Sequence, residues 1–229
     1  LVRVREEGGM VALGRVLTLI VLAAGEEEIE RAITTTNEAS REHPARVIVV
    51  DTGNGHHGDG LDAEIRVGAD AGASEVVLLR PRGAAAWNLD TLITPLLLPD
   101  TPIVAYWAGT APSDPASDPV GRMAQRRITD ITEGEDPCGA LAALGRNYTP
   151  GDSDLAWARI TLWRALLASV LDGRTESVTS VEVQGDLGRP STFLLAGWLR
   201  TALDVPVTTA GSDAGHVERI SVTLTDGEI

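Results

Sequence analysis

Cysteine is nearly absent from this sequence of 229 residues, which contains only Cys138. A single thiol cannot form an internal disulfide, so the composition fits a reducing compartment and predicts a cytoplasmic protein. Basic residues are also scarce, since 19 of them stand against 33 acidic ones and leave a net charge of -14. Because this charge repels polyanions, we expect neither nucleic acid nor an anionic membrane as a partner.

Long apolar runs and catalytic signatures are missing as well. The longest apolar stretch, residues 16–24, contains Thr18 and is far shorter than the roughly 20 residues that a membrane-spanning helix needs. The sequence has no G-x-S-x-G elbow, no H-E-x-x-H motif and no G-x-x-x-x-G-K-[ST] loop. The sequence thus contains no credible catalytic constellation, and we expect no catalytic residues, cofactor or metal ion.

What the sequence does contain is an alternation of strand and helix patterns. β-Branched runs at residues 15–23 and 47–51 predict strands that are buried on both faces. Between them, Gly25 and three glutamates begin a helix, and Pro44 ends it. A strand, helix, strand order favours a parallel pair with a right-handed crossover. The further predicted elements are strands at 61–67 and 74–80 that pair as a hairpin, a helix at 84–97 interrupted by Pro95, a strand at 102–107, an irregular loop at 111–119, a short helix at 122–127, a strand at 178–183, a helix at 192–203 and a strand at 219–225.

The strongest helix pattern covers residues 152–171. Asp152 supplies a cap, Asp154 adds acid to the first turn, and Gly173 stands where a C-terminal glycine is common. Because the apolar residues cover several sides, we expect this helix to be buried over more than half of its girth. The apolar face consists of Ala156, Ile160, Trp163, Leu167 and Val170, and Leu155, Leu162 and Leu166 widen it.

Together these elements predict an α/β fold with a mainly parallel, Rossmann-like sheet and flanking helices, plus a smaller C-terminal α/β subdomain. We expect an N-terminal α/β domain at residues 1–150, a long connecting helix at 151–173, and the smaller subdomain at 174–229. This last part is expected to be incomplete.

Three local features suggest chemistry, and each has a simpler interpretation. Residues 53–58 match the G-x-G-x-x-G spacing, but a strand pattern follows where a phosphate-binding helix would begin, so a surface loop is favoured. His56, His57 and Asp59 lack the spacing of a defined metal site. Cys138 follows Glu135 and Asp136, whose charges disfavour a thiolate, so an incidental thiol is favoured over a nucleophile.

Aromatic residues are few, and three of the eight lie between positions 148 and 164. Tyr148, Trp157 and Trp163 occur there with Arg159 and Arg164, and these residue types dominate binding hot spots. The alternative is structural, with the tryptophans in the core and Asp152 or Asp154 paired with an arginine of the same helix.

Six segments in order resemble the glucose-6-phosphate dehydrogenase assembly protein family (OpcA) of actinobacterial type, over roughly residues 3–171. The resemblance implies a non-catalytic partner that promotes assembly of glucose-6-phosphate dehydrogenase or activates it allosterically, in the oxidative pentose phosphate pathway. The matching segments are residues 15–19, 39–50, 69–75, 95–100, 124–130 and 148–164.

The resemblance and the hot-spot chemistry together nominate a partner-binding set. Two alternatives remain open: a small sugar-phosphate enzyme or sensor that uses the strand-end pocket near Asp51, and a purely structural role in the complex. The candidate partner-binding residues are Arg126, Arg127, Asp130, Tyr148, Asp152, Asp154, Trp157, Arg159, Trp163 and Arg164.

Overall fold

The computed structural model describes residues 16–53, 58–67, 75–132, 135–225 and 227. They form two compact units, each with its own sheet. The first unit comprises the described residues of Leu1–Asp130 together with Asn147–Ser153. The second comprises those of Ile131–Arg146 and Asp154–Ile229. The chain therefore returns to the first unit after it has entered the second.

A seven-stranded sheet forms the centre of the first unit, in the order β3-β4-β2-β1-β5-β6-β7. Its inner pairs, from β4 through β2 and β1 to β5 and β6, are parallel, and β3 runs antiparallel to β4 at one edge. This confirms the predicted mainly parallel sheet and its hairpin. The strands are β1 (Leu17–Ala23), β2 (Ala45–Asp51), β3 (Gly60–Arg66), β4 (Glu75–Arg82), β5 (Ile103–Trp107), β6 (Arg126–Thr129) and β7 (Asp152–Asp154).

The central strands are buried on both faces, because successive side chains enter different cores. Ile20 and Ile48 pack with Ile93 and Trp107 on one face. Their neighbours Val21 and Val49 pack on the other face with helix α1 (Glu26–Ala39), through its buried residues Ile29 and Ile33. This alternation is why the runs in β1 and β2 are continuously apolar.

Two predicted helices of the first unit are wrong. In place of a helix at 84–97, the chain forms a 3-10 turn at Gly83–Ala86, the short helix α2 (Leu89–Ile93) and another 3-10 turn at Thr94–Leu96. Pro95 accounts for the end of α2 after Ile93, since proline has no N–H to donate inside a helix. The break before α2 lies at Asn88, whose φ of -126° and ψ of 61° are not helical. In place of a helix at 122–127, Arg126 begins β6, because pairing with β5 outweighs local propensity.

The second unit combines helices with a three-stranded sheet in the order β10-β8-β9. Strand β8 runs antiparallel to β10 and parallel to β9. Val181 and Val183 of β8 pack with Leu195 and Leu199 of the longest helix of this unit. A smaller second α/β unit is thus present, as predicted, although β9 and α3 were not predicted. The elements are α3 (Pro137–Arg146), α4 (Leu155–Arg159), α5 (Thr161–Leu171), β8 (Val178–Gly185), α6 (Pro190–Leu203), β9 (Val207–Gly211) and β10 (Val217–Leu224).

The single helix predicted at residues 152–171 is wrong in two respects. Residues Asp152–Asp154 form β7, and α4 and α5 are separated at Ile160, whose φ of -91° and ψ of 4° leave the helical region. Leu162, Leu166 and Val170 are 83%, 55% and 40% exposed, so the predicted burial of that side is also wrong. Periodicity locates a helix, but it does not say which of two apolar faces will be covered.

The part of the chain that the structure describes contains no helix that is both long and apolar enough to cross a bilayer.

A buried ion pair joins two adjacent parallel strands of the first unit. Arg46 of β2 lies opposite Glu75 of β4, with 3.3 Å between Nη2 and Oε1, and both residues are buried. The Arg46 guanidinium also donates to the Leu96 carbonyl oxygen at 2.8 Å. The arginine therefore links the sheet to the turn that follows α2.

We predict that Arg46→Met lowers the free energy of unfolding by about 3–5 kcal/mol, because it leaves the Glu75 carboxylate buried without its counter-charge. Urea denaturation followed by circular dichroism measures this loss. Arg31→Met is the matched control, since Arg31 pairs with Glu27 on an exposed helix surface, where little stability is expected to be lost. Equal losses in the two variants would contradict the role assigned to the buried pair.

Candidate partner-binding site

The carboxyl ends of β1 and β5 form the switch point at which open α/β sheets usually bind ligands. Here the backbone N–H groups at the strand ends already donate hydrogen bonds to carboxylate groups of the chain itself. Buried Asp51 accepts hydrogen bonds from the N–H groups of Gly53 at 2.9 Å and Gly25 at 3.3 Å. Glu28, in the acidic first turn of α1, accepts from the N–H of Ala24. A phosphate placed there would meet negative charge instead of open amides.

The other chemical candidates of the sequence find little support. His56 and His57 lie outside the described residues. Asp59 accepts a hydrogen bond from the N–H of Ala84 at 3.0 Å, and β3 follows the glycine-rich segment where a nucleotide-binding helix would stand. Within the described ranges, no group of three or more His, Cys, Asp or Glu residues is placed to hold a metal ion.

Cys138 lies in the first turn of α3 in an environment that opposes ionisation. Burial raises the pKa of its thiol, and the charges of Asp136 and Asp186 raise it further. Its Sγ lies 3.8 Å from the Leu187 carbonyl oxygen. Since the thiolate is the nucleophile, this arrangement supports the incidental thiol that the sequence favours.

In the first unit, two of the candidate residues bind one another. The guanidinium of buried Arg127 donates to the Asp152 carboxylate through Nε, to the Ala124 carbonyl oxygen at 2.8 Å and to the Pro150 carbonyl oxygen at 2.9 Å. Asp152 also accepts from the N–H of Thr149 at 2.8 Å. Arg127 thus holds the segment that precedes β7 against β6, and its charge is already neutralised.

The remaining candidates of the first unit differ in exposure. Arg126 and Tyr148 are exposed, and Asp130 is partly buried. Arg126 and Tyr148 therefore offer their side chains to solvent, whereas Arg127 and Asp152 support the local backbone.

In the second unit, Asp154 caps helix α4, and the Arg164 guanidinium lies over the Trp157 ring. Asp154 caps α4 by accepting from the N–H of Ala156 at 2.8 Å, and its other oxygen accepts from the N–H of Ile131 at 3.1 Å. The Arg164 guanidinium lies 3.9 Å from the centroid of the Trp157 ring, a cation–π distance. Trp157 is 38% exposed, so one part of this pair faces solvent.

The structural alternative from the sequence is correct only in part. Trp163 packs against the core of the second unit, as that alternative expected. Asp152, however, pairs with Arg127, and Arg164 stacks on Trp157. Arg159 is exposed on the last turn of α4. The structure therefore brings together two pairs, Arg127 with Asp152 and Trp157 with Arg164.

The exposure of Leu162, Leu166 and Val170 was not foreseen, because the helix pattern had assigned them to the core. One signal was available. Trp163, Leu167 and Leu171 already form an apolar stripe with a spacing of four residues, and they are the ones that pack against the core. A second stripe with the same spacing exceeds what one contact face of a helix requires.

Arg127 generates a stability prediction. We expect Arg127→Lys to lower the free energy of unfolding by about 2–4 kcal/mol, since an ammonium cannot reproduce the forked contacts of a buried guanidinium. Thermal and urea denaturation measure the loss. Arg126→Lys changes the exposed arginine next to it and should leave stability unchanged; a similar loss in both variants would contradict the account.

Cys138 generates a prediction about reactivity. With its pKa raised, less of the thiol is ionised at pH 8 than in a free cysteine, so alkylation by iodoacetamide should be slower than that of glutathione. Asp136→Asn removes one of the responsible charges, which lowers the pKa and should accelerate alkylation at pH 8. Mass spectrometry over time measures both rates, and an unchanged rate in the variant would refute the electrostatic cause.

Two family models match the sequence and together cover most of it. The model for the N-terminal domain of the glucose-6-phosphate dehydrogenase subunit matches residues 36–146, and the model for its C-terminal domain matches residues 150–229. No curated protein matches the chain significantly. The order of the two matches along the chain agrees with the resemblance seen in the sequence. The chain therefore belongs to the glucose-6-phosphate dehydrogenase assembly protein family, OpcA.

Proposed function

We propose that this protein is a non-catalytic assembly factor and allosteric activator of glucose-6-phosphate dehydrogenase, acting in the oxidative pentose phosphate pathway in the cytoplasm. The observation that carries the proposal is the pair of family matches, which are both named for a subunit of that dehydrogenase. A cytoplasmic site is supported by the single cysteine, because no internal disulfide is available to stabilise the fold.

The geometry of the strand ends supports a role in binding rather than in catalysis. Asp51 and Glu28 are engaged with backbone N–H groups at the switch point, and the raised pKa of Cys138 disfavours a nucleophilic thiol. The functional groups that an enzyme of this fold class would present to a substrate thus have structural tasks here.

A non-catalytic activator works through differential affinity. If the protein binds the active oligomer of the dehydrogenase more tightly than the inactive forms, it shifts the equilibrium by that ratio and no further. By linkage, substrate that favours the active oligomer must tighten the association between the two proteins. Assembly and activation are therefore two measures of the same coupled equilibrium.

The candidate residues of the sequence divide into two roles within this proposal. Arg126, Tyr148, Trp157 and Arg159 are exposed and are the members proposed to contact the dehydrogenase directly. The buried or engaged members are proposed to hold these contacts in place. They are Arg127, Asp130, Asp152, Asp154, Trp163 and Arg164.

The first experiment measures dehydrogenase activity against glucose-6-phosphate concentration, with and without the protein, together with the size of the mixture. We predict a shared peak on size exclusion and a raised kcat or a lowered half-saturation concentration. Absence of both association and kinetic change would contradict the proposal. If glucose-6-phosphate instead raised the Tm of the protein alone, a sugar-phosphate sensor would be favoured.

Arg159→Ala tests one proposed contact in the same assay. Because arginines are frequent hot-spot residues, we expect about a tenfold weaker apparent affinity for the dehydrogenase. Arg200→Ala is the matched control, since Arg200 is also an exposed arginine near the end of a helix of the second unit. Equal affinity for the two variants would count against Arg159 as a contact.

A further inference from the structure

Strand β3 is attached to the sheet in a different way from the central strands of the first unit. It lies at the edge, the described strand next to it is β4, and five of its seven residues are exposed. All seven residues are described, and neither buried core of the first unit contains any of them. Burial of apolar surface therefore contributes less to the attachment of β3 than to that of the central strands, and backbone hydrogen bonds and side-chain charges contribute more.

The charged side chains of β3 form ion pairs with neighbouring elements. Arg66 binds Glu30 of α1, with 2.8 Å between Nη2 and Oε1 and 3.1 Å between Nη1 and Oε2. Asp62 binds Arg82 of β4, with 3.1 Å between Oδ2 and Nη2. These contacts connect β3 both to the next strand of the sheet and to helix α1.

Glu64 lies at the centre of these contacts, because its carboxylate meets two arginines. It is 2.8 Å from Nε of Arg66 and 3.5 Å from Nη1 of Arg80. Arg80 in turn binds Glu26, in the first turn of α1, at 3.0 Å. The hydrogen bond from Arg66 lowers the pKa of the Glu64 carboxyl, and Arg80 lowers it further. We call the seven residues in these contacts the β3 network, which consists of Glu26, Glu30, Asp62, Glu64, Arg66, Arg80 and Arg82.

Strand β4 is joined to its two neighbours by ion pairs in opposite environments. On the β2 side, the pair of Arg46 and Glu75 is buried. On the β3 side, the four acidic side chains of the β3 network are between 45% and 66% exposed. Dissolved salt screens exposed charges much more than buried ones, and at about 1 M its screening length is about 3 Å, close to the length of these contacts. Salt should therefore weaken the outer attachment of β4 and spare the inner one.

The net charge of the chain gives the rest of the molecule the opposite response to salt. A net charge of -14 destabilises the compact state through self-repulsion, and added salt relieves that repulsion. The close contacts of the β3 network, in contrast, join charges of opposite sign, so screening weakens attraction there. This difference in sign distinguishes release of one strand from a general loosening of the fold.

From these observations we propose that β3 is an electrostatic strap, which ion pairs hold on β4 at low ionic strength and which a rise in ionic strength releases while the rest of the sheet stays folded. Release leaves β4 as the outer strand, with the backbone groups that had paired with β3 free. It also uncovers Val77 and Leu79, which are buried opposite Ile65 and Ala63. The accessibility of this edge thus depends on ionic strength, and it does so in the chain alone, without the dehydrogenase.

Hydrogen–deuterium exchange of the chain alone, at about 0.05 M and about 1 M NaCl, tests the strap. We expect peptides that cover residues 60–66 to exchange about tenfold faster at the higher concentration, because the local opening of β3 becomes easier. Peptides from β1 and β2 should exchange no faster. Exchange of the same peptides after digestion gives the intrinsic rates at each salt concentration, by which the measured rates are divided.

A substitution at the centre of the β3 network tests the role of the charges. Glu64→Gln removes the carboxylate that Arg66 and Arg80 share, so at about 0.05 M NaCl the exchange of β3 should be at least about threefold faster than in the wild type, with a smaller response to salt. Glu27→Gln is the matched control, because Glu27 also lies on α1 but pairs with Arg31 of the same helix. It should exchange like the wild type. Circular dichroism melts verify that both variants are folded.

The outcomes decide for or against the strap. Faster exchange that is confined to β3 at high salt, together with the weaker salt response of Glu64→Gln, supports it. Equal acceleration in β1, β2 and β3 would show general unfolding and overturn it. No acceleration of β3, or equal exchange in Glu64→Gln and Glu27→Gln, would show that the backbone hydrogen bonds hold the strand without the charges, which overturns it as well.

Discussion

The apolar surface of helix α5 exceeds what the core of its own unit covers. One set of side chains, Trp163, Leu167 and Leu171, completes the packing around Val181 and Val183. The other set, Leu162, Leu166 and Val170, remains in contact with water. Keeping three such residues exposed carries a solubility cost, which a binding partner would remove. The helix is thus suited both to stabilise the unit and to present a contact surface.

In the first unit, side chains of the chain itself occupy the strand ends of an open parallel sheet. Its parallel sheet provides the crevice at which related architectures bind ligands, between the ends of β1 and β5. The carboxylates of Asp51 and Glu28 accept hydrogen bonds from the backbone N–H groups that line that crevice. With the acidic first turn of α1, the electrostatics disfavour a phosphate. A fold therefore does not identify a function, and here the family matches carry that step.

Sequence reasoning succeeded where one physical signal dominates. The β-branched runs of β1 and β2 predict buried strands, because nothing else places so many such residues in a row. It failed where tertiary contacts decide: Arg126 enters β6 through pairing with β5, and Ile160 interrupts a helix whose pattern is continuous. The structural contacts of Arg127 are also invisible in a linear pattern, since the Pro150 carbonyl oxygen and the Asp152 carboxylate that its guanidinium binds lie 23 and 25 residues away. The sequence offers one hint that Leu162 is exposed, which is that residues 161–171 contain more apolar positions than a single contact face of a helix requires.

The most direct test of the central claim is hydrogen–deuterium exchange of the protein, followed by mass spectrometry, with and without the cognate glucose-6-phosphate dehydrogenase. The account predicts slower exchange in peptides that cover the exposed candidate contacts, which are Arg126 and Tyr148 in the first unit and Trp157 and Arg159 in α4, because a bound partner suppresses local opening of a covered segment. Peptides from α6, which is held by the core of the unit, should change little. Protection confined to other segments, or no protection at all under conditions in which the dehydrogenase is saturating, would contradict it.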